Sequence, residues 1–198
     1  VLALAVTSAP LALAAPKFSA LAIDARTGKV LFNKDADGIR HPASLTKMMT
    51  LYLLFQDLEA GKITLKSPIR MSARAASRPP TKLGVKPGKS ITVELAIKAL
   101  VVKSANDVAS AVAENLGGTE EAFARRMTKT ARAMGMGKTV FRNASGLPNP
   151  EQVTTARDMA TLGLRLMRDF PQYYPYFRTT SFTYAGKTVA THNRLLKN

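Results

Sequence analysis

The sequence predicts an α+β fold, because segments with the two-residue period of strands lie near both ends of the chain and helical segments lie between them. Residues 18–24 alternate apolar with small or polar side chains and lead through a turn into 29–32, which predicts a β-hairpin. Residues 179–184 and 187–191 predict a second hairpin around Ala185-Gly186.

The region between the two hairpins is predicted to be mainly helical, because apolar residues recur there at spacings of three and four. Threonines stand where three of these segments begin, as helix caps do. Residues 66–90 carry four prolines and predict an irregular stretch with short strands. The predicted helices are 44–59, 92–102, 105–115, 119–134 and 155–167.

Length and composition predict one domain with one hydrophobic core. The chain has 198 residues, of which 46% are hydrophobic, so it needs no disulfide or metal for stability. Its lack of cysteine excludes cysteine nucleophiles and thiolate zinc sites. The two histidines, His41 and His192, argue against a histidine zinc site or a serine-histidine-aspartate triad. We therefore expect neither a cofactor nor a metal.

The first fifteen residues are apolar and uncharged, too short to span a bilayer, and end in the small-x-small pattern of 12–14. This pattern indicates the remnant of a secretory signal peptide, so we divide the chain into a remnant at 1–15 and a domain at 16–198. It further predicts an exported protein in the periplasm or on the outer face of the cytoplasmic membrane, and a natural polypeptide longer than this chain. A buried strand or helix is the alternative.

Basic residues exceed acidic ones by 29 to 13, which gives a formal net charge of +16. Such a field draws a protein toward anionic phospholipid, an acidic wall polymer or nucleic acid. The basic residues are dispersed singly and carry no interleaved aromatic stripe, so they indicate a solvated basic surface rather than a nucleic-acid site. Association with a membrane surface stays open.

Ser44-Leu45-Thr46-Lys47 is the stretch with the clearest chemical content. A hydroxyl and an amine three residues apart on a helix share one face, and a desolvated lysine can activate a serine nucleophile. The only S-x-N triplet, Ser104-Ala105-Asn106, follows sixty residues later in a predicted break between two helices. In the structural alternative, Ser44, Ser104 and Asn106 cap helices and Lys47 is solvated.

These two motifs, in this order and with this spacing, are similar to those of penicillin-binding proteins and serine β-lactamases. Most of residues 18–198 resembles the serine-type D-alanyl-D-alanine carboxypeptidases, which are low-molecular-mass penicillin-binding proteins. The resemblance implies a serine β-lactamase/DD-peptidase-like (transpeptidase-like) fold, in which an antiparallel sheet packs on helices beside a mainly helical lobe. The segments that carry it are 41–50, 104–109, 143–147 and 155–160.

The resemblance also implies the role of each motif residue. Ser44 would attack the peptide carbonyl of a stem peptide ending in D-Ala-D-Ala and form an acyl-enzyme. Lys47 would accept the serine proton, Ser104 would relay a proton to the leaving amine, and Asn106 would bind the substrate amide. β-Lactam antibiotics would acylate the same serine.

The third motif of the family, K-T-G, is absent from the sequence. Lys138-Thr139 and Lys187-Thr188 are each followed by valine, and Arg26-Thr27-Gly28 lies in the predicted hairpin turn. The resemblance places K-T-G on a strand beyond Asn198. We therefore expect 16–198 to be an incomplete catalytic domain that is inactive alone and that leaves an open sheet edge with an exposed apolar face.

Three alternatives stay open. A D,D-endopeptidase would use the same residues. A class A β-lactamase needs a glutamate for deacylation, and the region before the helix at 155 offers only Glu151. A non-catalytic envelope protein would use its basic surface to bind an anionic polymer, with the serine and lysine as relics.

Overall fold

The computed structural model describes residues 18–196, and within that range helices alternate with three short antiparallel strand pairs. The α-helices are α1 (Thr46–Glu59), α2 (Ala73–Ala76), α3 (Val93–Lys98), α4 (Asn106–Gly117), α5 (Glu120–Ala133) and α6 (Ala156–Asp169). The strands are β1 (Ala20–Ile23), β2 (Val30–Lys34), β3 (Pro68–Arg70), β4 (Ser90–Thr92), β5 (Ser181–Tyr184) and β6 (Lys187–Ala190). The predicted α+β class is confirmed. The signal-peptide prediction at 1–15 lies outside the described residues.

Helix α1 is the centre of the hydrophobic core. It contacts α4, α5 and α6, and eleven of its fourteen residues are buried. A helix that is apolar on nearly all sides can be stable only when other elements surround it. The residues at its N-terminal end, including Lys47, are therefore held by packing on several sides.

All five predicted helices are present, and their starts follow the predicted capping. The hydroxyls of Thr92, Thr119 and Thr155 each accept a hydrogen bond from the backbone N–H three residues later. Several ends differ from the prediction by one or two residues, and two of the helices have turns of another type. The first helix begins with a 3₁₀ turn, Ala43–Leu45, and the second ends in a π-helical turn, Ala99–Lys103.

The β1–β2 hairpin packs against α6 and leaves β2 uncovered. Ala20 pairs with Lys34 and Leu21 with Asn33 in an antiparallel register. Every residue of β2 is exposed, among them Leu31 and Phe32. Among the described residues β2 pairs with β1 alone, so its other edge is open and its apolar side chains face solvent. This is the exposed apolar face that the sequence predicts.

An ion pair between a buried carboxylate and a partly exposed arginine connects α1 to α5. Asp57 is 3% exposed, and its two carboxylate oxygens accept hydrogen bonds from the Arg126 guanidinium at 2.6 and 2.8 Å. Such two-pronged pairing compensates the cost of burying the carboxylate. The pair lies in the C-terminal half of α1, about three helical turns beyond Lys47.

Replacement of Asp57 by asparagine should lower the free energy of unfolding by about 2 kcal/mol, because the hydrogen bonds from the partly exposed Arg126 guanidinium lose their charged acceptor. Chemical denaturation measures this change. Asp37→Asn is the matched control, since Asp37 forms a similar two-pronged pair with Arg157 on the exposed surface. We expect no measurable change there. Equal losses in the two variants would contradict this account.

Candidate active site

Ser44 lies in the 3₁₀ turn that leads into α1. Ala43 before it has a positive φ of 45°, and the backbone N–H of Leu45 donates to the Pro42 carbonyl at 3.1 Å. Ser44 itself is exposed. The turn therefore presents the hydroxyl-bearing residue at the surface, directly before the N-terminus of a buried helix, where the helix dipole favours developing negative charge.

Lys47 is buried, with only 3% of its surface exposed. Its ammonium Nζ donates to Asn106 Oδ1 at 2.8 Å and to the Ser145 carbonyl oxygen at 2.5 Å. Burial lowers the pKa of Lys47 from 10.5 to about 8, because removal from water penalises the charged form. Both hydrogen-bond partners are uncharged, and no carboxylate within 18–196 pairs with this side chain to hold its proton.

Ser104 and Asn106 lie in the predicted break between helices. Ser104 has left-handed backbone geometry, with φ 55°, and its carbonyl oxygen accepts from the Thr81 hydroxyl at 2.9 Å. The Asn106 backbone N–H donates to the Thr81 carbonyl at 2.7 Å, and its Nδ2 donates to the Pro79 carbonyl at 3.0 Å. The segment 79–81 thus fixes the conformation of the S-x-N triplet.

Asp107, the carboxylate nearest to this triplet in sequence, is not a hydrogen-bond partner of Lys47. Its oxygens accept from the backbone N–H groups of Leu83 and Gly84 at 2.9 and 2.8 Å. This acid therefore stabilises the loop after 79–81 and does not oppose the lowered pKa of Lys47.

Ser44, Lys47 and Ser104 line one cleft of about 630 Å³. Its other walls are mostly apolar, with Leu100 and Phe177 among them, and within 18–196 its only other titratable wall residue is His192. Asn106 lies behind Lys47 rather than in the wall. The structure thus brings the three residues together, and the catalytic role of each stays a prediction.

The turn at 143–146 is the part of the site to which the sequence assigned no role. Asn143 Oδ1 accepts from the backbone N–H of Gly146 at 2.7 Å and closes the turn, so that Ser145 presents its carbonyl to Lys47. Gly146 has φ 84° and lies against the Ala43 carbonyl. In the sequence, residues 143–147 indicate only the resemblance to the family. The role of Ser145 could not be predicted, because it acts through its backbone carbonyl, which every residue has.

Glu151 lies outside the cleft. It is exposed and forms an ion pair with Arg142 at 3.1 Å. The position of Glu151 gives no support to the β-lactamase alternative, which needs a glutamate beside the acyl-enzyme.

No group of three or more metal-ligating side chains occurs within 18–196.

Comparison with known proteins gives consistent matches. Residues 5–198 match the family model for D-alanyl-D-alanine carboxypeptidase. The D-alanyl-D-alanine carboxypeptidase DacF of Bacillus subtilis is 37% identical over 150 residues, covering 76% of this chain and 39% of that protein. The crystal structure of the carboxypeptidase DacD from Francisella tularensis has a TM-score of 0.83 at 36% identity, covering 96% of this chain and 46% of that one.

Penicillin binding protein 5 from Haemophilus influenzae has a TM-score of 0.86 at 30% identity, covering 90% of this chain and 53% of that one. These superpositions confirm the predicted penicillin-binding-protein fold. The chain spans about half the length, or less, of these three proteins.

Substitution of Gly146 by alanine should disrupt the site, because a Cβ there would lie 1.8 Å from the Ala43 carbonyl oxygen and φ is positive. We expect a loss of about 3 kcal/mol in the free energy of unfolding, measured by chemical denaturation.

Gly137→Ala is the matched control, since nothing lies within 4 Å of a Cβ at that position and its φ is not positive. It should leave stability unchanged or raise it slightly. Wild-type stability in Gly146→Ala would contradict the described contact between the 143–146 turn and the Ser44 turn.

Proposed function

The chain belongs to the D-alanyl-D-alanine carboxypeptidase family, and from this we propose that its cleft serves a serine-type carboxypeptidase, which removes the terminal D-alanine from peptidoglycan stem peptides. The observation that carries the proposal is the burial of Lys47 in the wall of the cleft that also holds Ser44 and Ser104. Family membership supports the assignment of the substrate, and the geometry of the cleft supports the proposed mechanism.

Acylation begins when the Ser44 hydroxyl attacks the carbonyl carbon between the two D-alanines. The serine proton passes to Lys47 as the new C–O bond forms. The C–N bond to the terminal D-alanine then breaks as Ser104 delivers its proton to the leaving amine, and Lys47 passes the proton it took from Ser44 on to Ser104 and returns to the uncharged amine. The product of this step is an ester between Ser44 and the penultimate D-alanine, which water hydrolyses to free the serine.

Lys47 is suited to the role of base because burial lowers its pKa to about 8. At pH 7 about a tenth of such side chains are uncharged, against ~0.03% for a lysine at the ordinary value of 10.5. An amine with a pKa near the working pH is efficient at both accepting and returning a proton. The same lysine can therefore serve both halves of the reaction.

Asn106 is proposed to bind the substrate amide. Its Oδ1 and Nδ2 have protein partners, Lys47 and Pro79, so the substrate would replace or share one of these bonds. A carboxamide can accept two hydrogen bonds at its oxygen, which makes sharing possible at Oδ1.

We further propose that the protein acts outside the cytoplasm and is acylated by β-lactams. The apolar stretch at 1–15 and the likeness to a penicillin binding protein support these two points. The charge of +16 supports association with anionic membrane or wall surfaces. Among residues 18–196 there is no helix with the length and apolar character that crossing a bilayer requires.

Digestion of purified muropeptides tests the proposal. The full-length gene product should convert pentapeptide monomers to tetrapeptides with release of D-alanine, and Ser44→Ala should abolish this conversion and labelling by fluorescent penicillin.

Splitting of cross-linked dimers with monomer pentapeptides left intact would instead identify a D,D-endopeptidase. If instead the protein binds an anionic polymer and Ser44→Ala leaves this binding unchanged, the non-catalytic envelope protein would be favoured. Thr46→Ser is the matched control, because Thr46 neighbours the same turn but is buried and lies outside the cleft wall. It should retain labelling.

A further inference from the structure

Glu120, the first residue of α5, is a carboxylate that the proposed mechanism does not use. It is 1% exposed. Its Oε1 accepts from the Ser110 hydroxyl at 3.1 Å and from the Ala144 backbone N–H at 3.2 Å. Its Oε2 accepts from the Arg78 guanidinium, whose Nε also donates to Ser110 Oγ at 2.9 Å. Glu120 thus connects α4, α5, the 143–146 turn and the segment before residue 79.

One of these connections leads directly to the lysine. Ala144, which donates to Glu120, precedes Ser145, whose carbonyl accepts from Lys47 at 2.5 Å. The peptide unit that Glu120 binds (143–144) is therefore separated by a single peptide unit from the one whose carbonyl binds the ammonium (145–146). The Thr50 hydroxyl donates to the Ala144 carbonyl at 2.7 Å and ties the same residue to α1.

The second connection runs through Arg78. The next residue, Pro79, accepts from Asn106 Nδ2 at 3.0 Å, and Asn106 Oδ1 accepts from Lys47 at 2.8 Å. The Glu120 carboxylate therefore binds both Ala144 and Arg78. Each of these residues directly precedes one whose carbonyl supports Lys47: the Ser145 carbonyl binds the ammonium itself, and the Pro79 carbonyl binds Asn106, which binds the ammonium.

We propose that Glu120 and Arg78 are positioning residues for Lys47, a proposal that rests on the proposed function of Lys47 as the base. Their ion pair joins the 143–146 turn to the 79–81 segment and so holds both hydrogen-bond partners of Lys47 in place. Neither residue lines the cleft, so neither touches substrate.

A weakened pair would let the two segments separate and admit water around Lys47. Ser145 also lines a polar surface cavity of about 260 Å³, bordered by Glu120 and Arg78, from which water can enter. Hydration would remove the desolvation that lowers the pKa of Lys47, so the pKa would rise toward 10.5 and less base would be uncharged at neutral pH.

The test uses variants of the full-length gene product that keep both charges, because an unpaired Arg78 would itself lower the pKa of Lys47. Glu120→Asp shortens the carboxylate so that it cannot reach both Arg78 and Ala144. Arg78→Lys removes the fork that binds Glu120 and Ser110 together. Arg126→Lys is the matched control, since it makes the same exchange in the buried Asp57 pair, away from the cleft.

The measured quantities are the second-order rate of acylation by fluorescent penicillin from pH 6 to 10, at a temperature where each variant is folded, and the melting temperature. Within 18–196 the groups that contact Lys47 are the uncharged Asn106 and the Ser145 carbonyl, and His192 is the other titratable residue of the cleft wall. Any further titratable group of the site is shared by all variants, so a difference in the midpoint of the rising limb between variants reports Lys47.

We expect Glu120→Asp and Arg78→Lys to acylate about tenfold or more slowly at pH 7, with the midpoint of the rising limb moved to higher pH. Arg126→Lys should lower the melting temperature by a similar amount and keep the wild-type acylation rate and midpoint. A wild-type rate and midpoint in either Glu120→Asp or Arg78→Lys would overturn the positioning role. A wild-type enzyme that fails to acylate would instead overturn the proposed function.

Discussion

The interaction on which the site depends is the burial of the Lys47 ammonium among uncharged groups. Removal from water disfavours the charged form of the amine, and no carboxylate within 18–196 pairs with it to offset this. The pKa of Lys47 therefore falls to about 8. Two acceptors, Asn106 Oδ1 and the Ser145 carbonyl, keep its donors satisfied without stabilising the charge as an acid would. The lysine is thereby held in place and yet is readily deprotonated.

This constraint explains why segments far apart in sequence meet at the N-terminus of α1. Three residues around the lysine have positive φ values, namely Ala43, Ser104 and Gly146. For the two residues that carry a Cβ, left-handed geometry costs about 1–3 kcal/mol each, and at Ser104 a hydrogen bond from the Thr81 hydroxyl helps to hold it. Strain at these positions gives a turn that presents Ser44 and a break that places Ser104 in the same cleft.

Most of the fold could be predicted from the sequence, because hydrophobic period and threonine caps are local signals. The capped starts at Thr92, Thr119 and Thr155 and both hairpins follow from them. The motif residues Ser44 and Lys47 could be found because their chemistry resides in side chains at fixed spacing. The π-helical turn before Ser104 could not, since it depends on packing around the break.

The supporting groups were also beyond sequence analysis, for a different reason. Ser145 and Pro79 act through backbone carbonyls, which every residue possesses, and Glu120 reads in the sequence as an ordinary first-turn acid of α5. Its burial and its contact with the 143–146 turn arise only from tertiary packing. The residues that support a base can therefore be identified only once the fold is known.

The most direct test of this account is a titration of Lys47 itself, followed by NMR of isotope-labelled lysine side chains in the full-length gene product, with the Lys47→Met variant to assign the signal. The account predicts a signal that titrates with a midpoint of about 8. A midpoint near the ordinary value of 10.5 would contradict it, because Lys47 would then be hydrated and almost fully charged at neutral pH.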